Sequence, residues 1–210
     1  MDISEKTRIA TRNTGFFVWL GELNDYVLGY INIWLDFYKK DNFELWIDPN
    51  AILANHLKKL THFSFDSKSE KEEILKKQDI FFEYSKKSIN LSFDEIVLNF
   101  ASEYSPEIIP DLKNAINCHL GRLEKIHRRL NIKHIQGATF YSNNTKSYYL
   151  QELMLRQNLA AASDLVRLSI LYNKGGTYID ADTLPPLSKL IFRSERVECN
   201  SLIELFISET

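Results

Sequence analysis

The chain has 210 residues, of which 44% are hydrophobic and 12% aromatic, enough to bury the core of one domain of ordinary size but not of two. The formal net charge is −2, and basic residues alternate with acidic ones, which argues against a nucleic-acid-binding or membrane-binding protein. The sequence shows no signal peptide, no apolar run of membrane-spanning length, and only two cysteines, too few for a disulfide framework.

The first 14 residues are polar, and a β-α-β unit is predicted over residues 15–50. The aromatic run GFFVWLG (residues 15–21) predicts a buried strand, and NFELWID (residues 42–48) predicts a second one that Pro49 ends. Asn24 and Asp25 can cap the helix between them. The apolar face of that helix recurs at three- and four-residue steps: Val27, Leu28, Ile31, Trp34, Leu35 and Tyr38. This order is typical of a parallel α/β sheet.

Residues 51–150 are richer in charged and polar residues, and their apolar spacing predicts a helical insertion in a single α/β domain. Residues 150–176 predict one long helix that Gly175 or Gly176 ends. A short strand, TYID, follows directly, so residues 151–187 are interpreted as a helix and a strand. The last segment, residues 188–210, has no clear pattern.

Two aspartates, Asp180 and Asp182, follow the last predicted strand. Residues i and i+2 of a strand face the same side, about 6.6 Å apart, so Tyr178, Asp180 and, if the strand continues, Asp182 share a face. That separation favours one direct metal ligand and one group for another role. A D-x-D motif alone is weak evidence, but the carboxyl end of a strand is where open α/β sheets bind ligands. Asp164 and Arg167 would lie together on the preceding helix, and a surface ion pair is the alternative interpretation of that pair.

YIDADTL also resembles the first motif of haloacid-dehalogenase-like phosphatases. In those enzymes the first aspartate is a nucleophile and the second a general acid/base. However, the motif usually opens such domains, whereas here it lies near the end of the sequence. We keep this phosphatase as the alternative enzyme.

Three stretches in order, residues 16–59, 98–108 and 158–185, resemble the glycosyltransferase domain of the large clostridial cytotoxins and related toxin-like effectors, including the lymphostatin group. The resemblance spans about residues 14–187. It implies a GT-A-like, Rossmann-like nucleotide-sugar-binding sheet with a helical insertion. It also implies a retaining transferase that uses Mn²⁺ or Mg²⁺ and a UDP-sugar.

The resemblance assigns a role to each site residue. Trp19 would stack on uracil and Asn55 would lie near the uridine. Asp164 and Arg167 would hydrogen-bond sugar hydroxyls, and Tyr178 and Asp180 would line the ribose and the sugar. Asp182 would bind the metal directly. Asp180 and Arg167 are therefore the predicted catalytic residues, with Arg167 and the metal offsetting charge on the UDP leaving group.

The sequence also departs from the family. Only 28 residues follow Asp182, and they do not resemble the family's continuation, so we expect an amino-terminal part of a transferase, truncated after the DXD strand. A catalytically inert remnant or a helical interaction module is the alternative. The resemblance implies a host protein acceptor, such as a small GTPase, and a secreted effector acting in the host cytosol. An unexported remnant would instead be cytoplasmic.

Overall fold

The computed structural model describes residues 14–39, 41–61, 68–88, 90–126 and 128–186, and these residues form a parallel four-stranded sheet in the order β3-β2-β1-β4. The strands are β1 (Thr14–Trp19), β2 (Asn42–Ile47), β3 (Leu130–His134) and β4 (Thr177–Tyr178). Seven α-helices lie within these ranges: α1 (Asp25–Phe37), α2 (Ala54–Thr61), α3 (Lys68–Lys87), α4 (Phe93–Tyr104), α5 (Ile109–Glu124), α6 (Asn143–Leu150) and α7 (Leu159–Lys174). The predicted polar segment before Thr14 and the tail over residues 188–210 lie outside the described residues.

The predicted β-α-β unit is present. β1 pairs in parallel with β2, from Thr14 opposite Asn42 to Trp19 opposite Ile47. The Asn24 side chain caps α1 by accepting a hydrogen bond from the Val27 amide at 2.9 Å. The predicted apolar face of α1 is the buried one, through Val27, Ile31 and Leu35. Local sequence signals therefore determine this unit.

Alternate residues of β1 enter two hydrophobic cores on opposite faces of the sheet, as the two-residue period of a strand requires. Phe16 and Val18 pack in the core that also contains residues of α2, α4 and α7. Phe17 packs in the second core, which α1 covers. Gly15 is required between Phe43 and Ile179, because a Cβ there would lie 2.7 Å from the Phe43 ring. The sheet is thus covered on both faces, and its strand ends remain for function.

The prediction that residues 51–150 form only helices is wrong at β3, which pairs in parallel with β2. β3 is an edge strand of the sheet, and its polar, partly exposed sequence gives it little strand signal. Helices α2–α5 therefore belong to the crossover connection between β2 and β3 rather than to a separate insertion.

The prediction of one helix over residues 150–176 is also wrong. α6 runs into a π-helical turn, Gln151–Arg156, and the chain then breaks at Gln157, whose φ is +53°. Thr61 Oγ1 donates a hydrogen bond to the buried Gln157 Oε1 at 2.9 Å, and the Asn158 side chain caps α7. Gly175, with φ of +72°, ends α7 as predicted. Because the break depends on a partner 96 residues away, helical periodicity could not reveal it.

Within the described ranges, no helix has both the length and the apolar character needed to cross a membrane.

Candidate active site

The aspartates follow β4 at the carboxyl edge of the sheet. β4 pairs with β1 through Gly15 opposite Thr177 and Phe16 opposite Tyr178, and the Ile179 amide donates to the Phe16 carbonyl at 2.9 Å. Extending this register by two residues sets Asp180 opposite Val18, near the end of β1. The motif therefore lies at the sheet edge where parallel α/β folds bind ligands.

The strand does not continue to Asp182. The chain turns instead, and the amide and hydroxyl of Thr183 donate to the Asp180 carbonyl at 3.2 and 2.8 Å. The condition under which Asp182 would share the strand face of Tyr178 and Asp180 is therefore not met, because this local turn replaces the extended backbone. Both aspartate side chains are exposed.

Helix α7 brings four of the predicted residues into one connected group. Arg167 Nη2 lies 2.8 Å from Asp164 Oδ1, with the two side chains 33% and 50% exposed. The guanidinium carbon of Arg167 also lies 5.0 Å from the centre of the Tyr178 ring. The Tyr178 hydroxyl donates to Asp180 Oδ1 at 3.0 Å. The Asp164–Arg167 pair is thus connected to the motif through Tyr178, and is more than an isolated surface ion pair.

The surroundings in this group raise the pKa values of both Arg167 and Tyr178. The bond to the Tyr178 hydroxyl raises the pKa of Arg167, with a further contribution from Asp164. Burial is the main cause that raises the pKa of Tyr178, opposed by Arg167 and reinforced by Asp180. Near neutral pH, Tyr178 therefore keeps its proton and Arg167 its positive charge. The group offers a hydroxyl, a cation and two carboxylates to a polar ligand.

Asp182 lies toward the opposite helix, α1. The Tyr26 hydroxyl is 3.0 Å from that of Tyr30, and this contact is the main cause that raises the pKa of Tyr26. The negative charge of Asp182 adds to the rise. The carbonyl of Thr183, the residue after Asp182, accepts a hydrogen bond at 2.7 Å from Nε1 of Trp34, which also belongs to α1. Asp180 is therefore associated with α7, and Asp182 with α1.

Trp19 and Asn55 lie around the turn that follows β1. The half-buried Trp19 donates from Nε1 to the Glu22 carbonyl at 3.1 Å, which fixes its ring at the end of the strand. Gly21 has φ of +92°, and a Cβ there would lie 3.1 Å from Asn55 Nδ2. The exposed Asn55 side chain thus packs against this turn, and the pair forms a second group at the same sheet edge.

The donor chemistry at the motif fits a hard divalent ion that shares its ligands with a phosphate. The described residues contain no cluster of three or more histidine, cysteine, aspartate or glutamate side chains that could hold a metal alone. The exposed carboxylate of Asp182 is a suitable oxygen ligand for Mg²⁺ or Mn²⁺, which commonly bind few protein ligands and complete their shell with phosphate and water.

Several residues at this edge were not predicted. Gly21 lies against Asn55, Trp34 donates to the Thr183 carbonyl, and Asp48, directly after β2, is partly buried. The position of Asp48 at the carboxyl end of a predicted strand could have drawn attention to it, by the same rule that applies to Asp180. For Trp34 no signal was available, because its contact with Thr183 spans 149 residues.

The parallel sheet, with helices on both of its faces, is an α/β fold of the GT-A-like class. The chain belongs to the family described as the TcdA/TcdB catalytic glycosyltransferase domain, whose model matches residues 15–208. This confirms the resemblance seen in the sequence.

Curated relatives include Toxin A of Clostridium novyi, 32% identical over 90% of this chain, and Toxin B of Clostridioides difficile, 31% identical over 84%. Cytotoxin-L of Paraclostridium sordellii is 33% identical over 85% of the chain. The chain spans 8–10% of the length of these toxins.

Two solved structures show the same fold. The catalytic domain of alpha-toxin from Clostridium novyi superposes with a TM-score of 0.74 and 28% identity, covering 92% of this chain and 40% of that domain. The ligand-free glycosyltransferase domain of the YGT toxin gives a TM-score of 0.60 at 21% identity, over 89% of this chain and 44% of that one. The chain therefore corresponds to less than half of either catalytic domain.

Proposed function

We propose that this chain is the donor-binding part of a toxin-like retaining glycosyltransferase and binds a UDP-sugar with a divalent metal ion. The observation that carries the proposal is the connected group of Asp164, Arg167, Tyr178 and Asp180 beside Asp182. Family membership supplies the reaction class. The proposal assigns Trp19 to stacking on uracil and Asn55 to the uridine.

The two aspartates would divide their roles between sugar and metal. Asp180, fixed by the Tyr178 hydroxyl, and Asp164 would accept hydrogen bonds from ribose and sugar hydroxyls. Arg167 would offset negative charge that develops on the UDP leaving group. Asp182, on the α1 side of the turn, would be the direct ligand of Mn²⁺ or Mg²⁺. When bound, the metal supplies positive charge at the diphosphate.

The acceptor is proposed from the family alone. Because the curated relatives are named toxins, we propose that the sugar passes to a host protein, such as a small GTPase, and that the protein acts in the host cytosol after secretion. Incubation of the chain with a UDP-sugar and purified host GTPases, read by mass spectrometry, tests this step. Failure to modify any acceptor, by a chain that binds UDP and hydrolyses a UDP-sugar, would contradict the acceptor assignment only.

Titration calorimetry with UDP, with and without Mn²⁺, tests the donor site. We expect UDP to bind the parent chain, Mn²⁺ to strengthen that binding, and ADP to bind less tightly. Asp182→Asn should remove the effect of Mn²⁺, and Trp19→Ala should weaken binding under both conditions. Asp79→Asn, an equivalent change at an exposed position of α3, is the matched control. If both site variants bind as the parent does, the site assignment is wrong.

Binding without turnover is the second candidate function. The chain covers 40% of the catalytic domain of the Clostridium novyi alpha-toxin. Turnover of a UDP-sugar above the level of an Asp180→Asn variant would contradict this candidate. The phosphatase alternative predicts instead a phosphorylated Asp180 and no preference for UDP, and family membership favours the transferase over it.

A further inference from the structure

The loop between β2 and α2, residues 48–53, is held at both ends by carboxylates to which the proposed donor site gives no role. At its start, Asp48 Oδ1 accepts a hydrogen bond from the Asn50 amide at 2.8 Å, and Asp48 Oδ2 accepts one from the Tyr149 hydroxyl. At its end, Asp94 Oδ1 accepts from the Leu53 amide at 2.9 Å. Asp48 follows β2 and Asp94 belongs to α4, so separate elements fix the two ends.

Asp94 lies at the amino end of α2. The Leu53 carbonyl accepts the first hydrogen bonds of that helix, from His56 at 2.9 Å and Leu57 at 3.0 Å. Asp94 accepts from the amides of Leu53 and Ile52, just before the helix. A carboxylate at this place satisfies amides that the helix itself leaves without partners, and its negative charge suits the amino end of a helix dipole. Asp94 thus fixes where α2 begins.

The start of α2 determines the position of Asn55, the second residue of that helix. The site of a Cβ on Gly21 lies 3.1 Å from Asn55 Nδ2 and 3.9 Å from the Ala51 carbonyl oxygen. Both the loop and Asn55 therefore touch the turn that follows Trp19. A shift of the loop would move Asn55 relative to Trp19.

Burial makes the charged forms of Asp48 and Asp94 less favourable. Burial raises the pKa of Asp94 to about 6 despite its two amide donors, and the charge of Asp48 adds to the rise. Burial also raises the pKa of Asp48, where the hydrogen bond from Tyr149 and the nearby His134 act in the opposite direction. An uncharged side chain at either position would avoid the free-energy cost of burying a charge.

We propose that Asp94 is a positioning residue for nucleotide binding: by holding residues 52 and 53 it sets Asn55 against the Trp19 turn, where the uridine of the donor binds. This inference rests on the proposed function, because it requires that Asn55 contacts UDP. Asp94 itself does not touch the ligand. Its effect on affinity therefore passes through Asn55.

A double-mutant cycle on the 210-residue chain tests this route. The variants are Asp94→Ala, Asn55→Ala and the pair, and the readout is the Kd for UDP at saturating Mn²⁺. We expect each single change to weaken UDP binding about tenfold, and the double variant to bind no more weakly than Asn55→Ala alone. Asp111→Ala, in the first turn of α5 and exposed, removes a comparable carboxylate and should bind UDP as the parent does.

The outcomes separate this inference from the proposed function. If the parent does not bind UDP, both are wrong. If the parent binds UDP and Asp94→Ala binds it as tightly, only the positioning role is overturned. The same conclusion follows if the Asp94→Ala change weakens UDP binding as much in the Asn55→Ala background as in the parent. Should Asp94→Ala fail to fold, Asp94→Asn replaces it in the same cycle, because asparagine keeps the shape of the side chain but has one acceptor oxygen instead of two and no charge, so it holds the amides of Leu53 and Ile52 less tightly. A loss of UDP affinity in Asp94→Asn, smaller than about tenfold, that disappears in the Asn55→Ala background supports the proposal, and any other result overturns it.

Discussion

The Tyr178 hydroxyl donates a hydrogen bond to Oδ1 of Asp180 at 3.0 Å while Arg167 lies against the same tyrosine ring. This bond connects the helix α7 to the first aspartate of the motif. Tyr178 is therefore the residue through which the orientation of Asp180 depends on α7, and its hydroxyl can be removed without changing the ring.

We expect Tyr178→Phe to reduce turnover of a UDP-sugar, or affinity for an intact UDP-sugar, about tenfold, with a smaller loss of affinity for UDP, which keeps the ribose but lacks the sugar. The loss of one hydrogen bond to a charged partner corresponds to about 1.5 kcal/mol. Titration with UDP and with UDP-glucose in parallel measures the difference. Tyr172→Phe, which makes the same change at an exposed tyrosine of α7, is the control. An equal loss for both ligands would contradict a contact between Asp180 and the sugar.

We expect Asp182→Asn and Asp180→Asn to differ in their dependence on metal. Since Asp182 lies on the α1 side of the turn, its neutralisation should abolish Mn²⁺ binding to the chain–UDP complex. Asp180→Asn should retain Mn²⁺ and lose affinity for the intact donor. Electron paramagnetic resonance of free Mn²⁺ in the presence of UDP measures the bound fraction. Retention of Mn²⁺ by Asp182→Asn together with its loss in Asp180→Asn would reverse the assignment.

We expect Gly21→Ala to destabilise the domain by about 1 kcal/mol and to weaken UDP binding, because the residue has φ of +92° and the new Cβ would press on Asn55. Gly29→Ala is the matched control. A Cβ at Gly29, within α1, meets no atom within 4 Å, so the change should stabilise the domain by roughly 0.5–1 kcal/mol. Chemical denaturation of both variants gives the two free energies of unfolding. Equal stability of the variants would contradict strain at Gly21.

We expect the parent to lose stability relative to Asp94→Asn as the pH rises from about 4 to about 6. The pKa of Asp94 is about 6 in the folded protein and near 3.9 in an unfolded chain. The folded state therefore holds a proton that the unfolded state releases. The stability that this proton provides is present below about pH 4 and is lost by about pH 6, on the order of 2 kcal/mol in the free energy of unfolding.

The comparison with Asp94→Asn is needed because another group acts in the opposite direction. Burial lowers the pKa of His119, whose Nδ1 accepts a hydrogen bond from the Leu23 amide, so its contribution to stability falls as the pH drops below about 6.5. His119 is unchanged in Asp94→Asn, and the difference between the two proteins isolates Asp94. Urea denaturation at several pH values measures it, and a difference that is constant with pH would contradict the raised pKa.

The sequence predicted those features that depend on neighbouring residues. Asn24 and the apolar spacing of Val27, Ile31 and Leu35 define α1, because a cap and a periodic face are both local. The glycines that end α7 were found for the same reason. The roles that the family resemblance gives to the predicted site residues stay predictions, and the structure connects four of these residues through Tyr178.

The features that were not predicted depend on distant contacts. β3 is a strand because β2 lies beside it, not because its own residues alternate strongly. The break between α6 and α7 occurs at Gln157, which accepts a hydrogen bond from the distant Thr61, and the Asn158 side chain caps α7 directly after it. Asp182 leaves the strand because Thr183 closes a turn that two aspartates alone do not indicate. The role of Asp94 is equally hidden, since Leu53 lies 41 residues away.

The pairing of β4 with β1 has a consequence for the order of folding. Phe16 and Tyr178 are paired although almost the whole described chain separates them, and closing so long a loop is entropically costly until other contacts shorten it. The contacts of the β1-α1-β2 unit are local and can form early, whereas β4 can add to it only after the helices between have packed. The two aspartates should therefore reach their positions in the last step of folding, and amide hydrogen exchange during refolding should protect Ile179 later than Phe17.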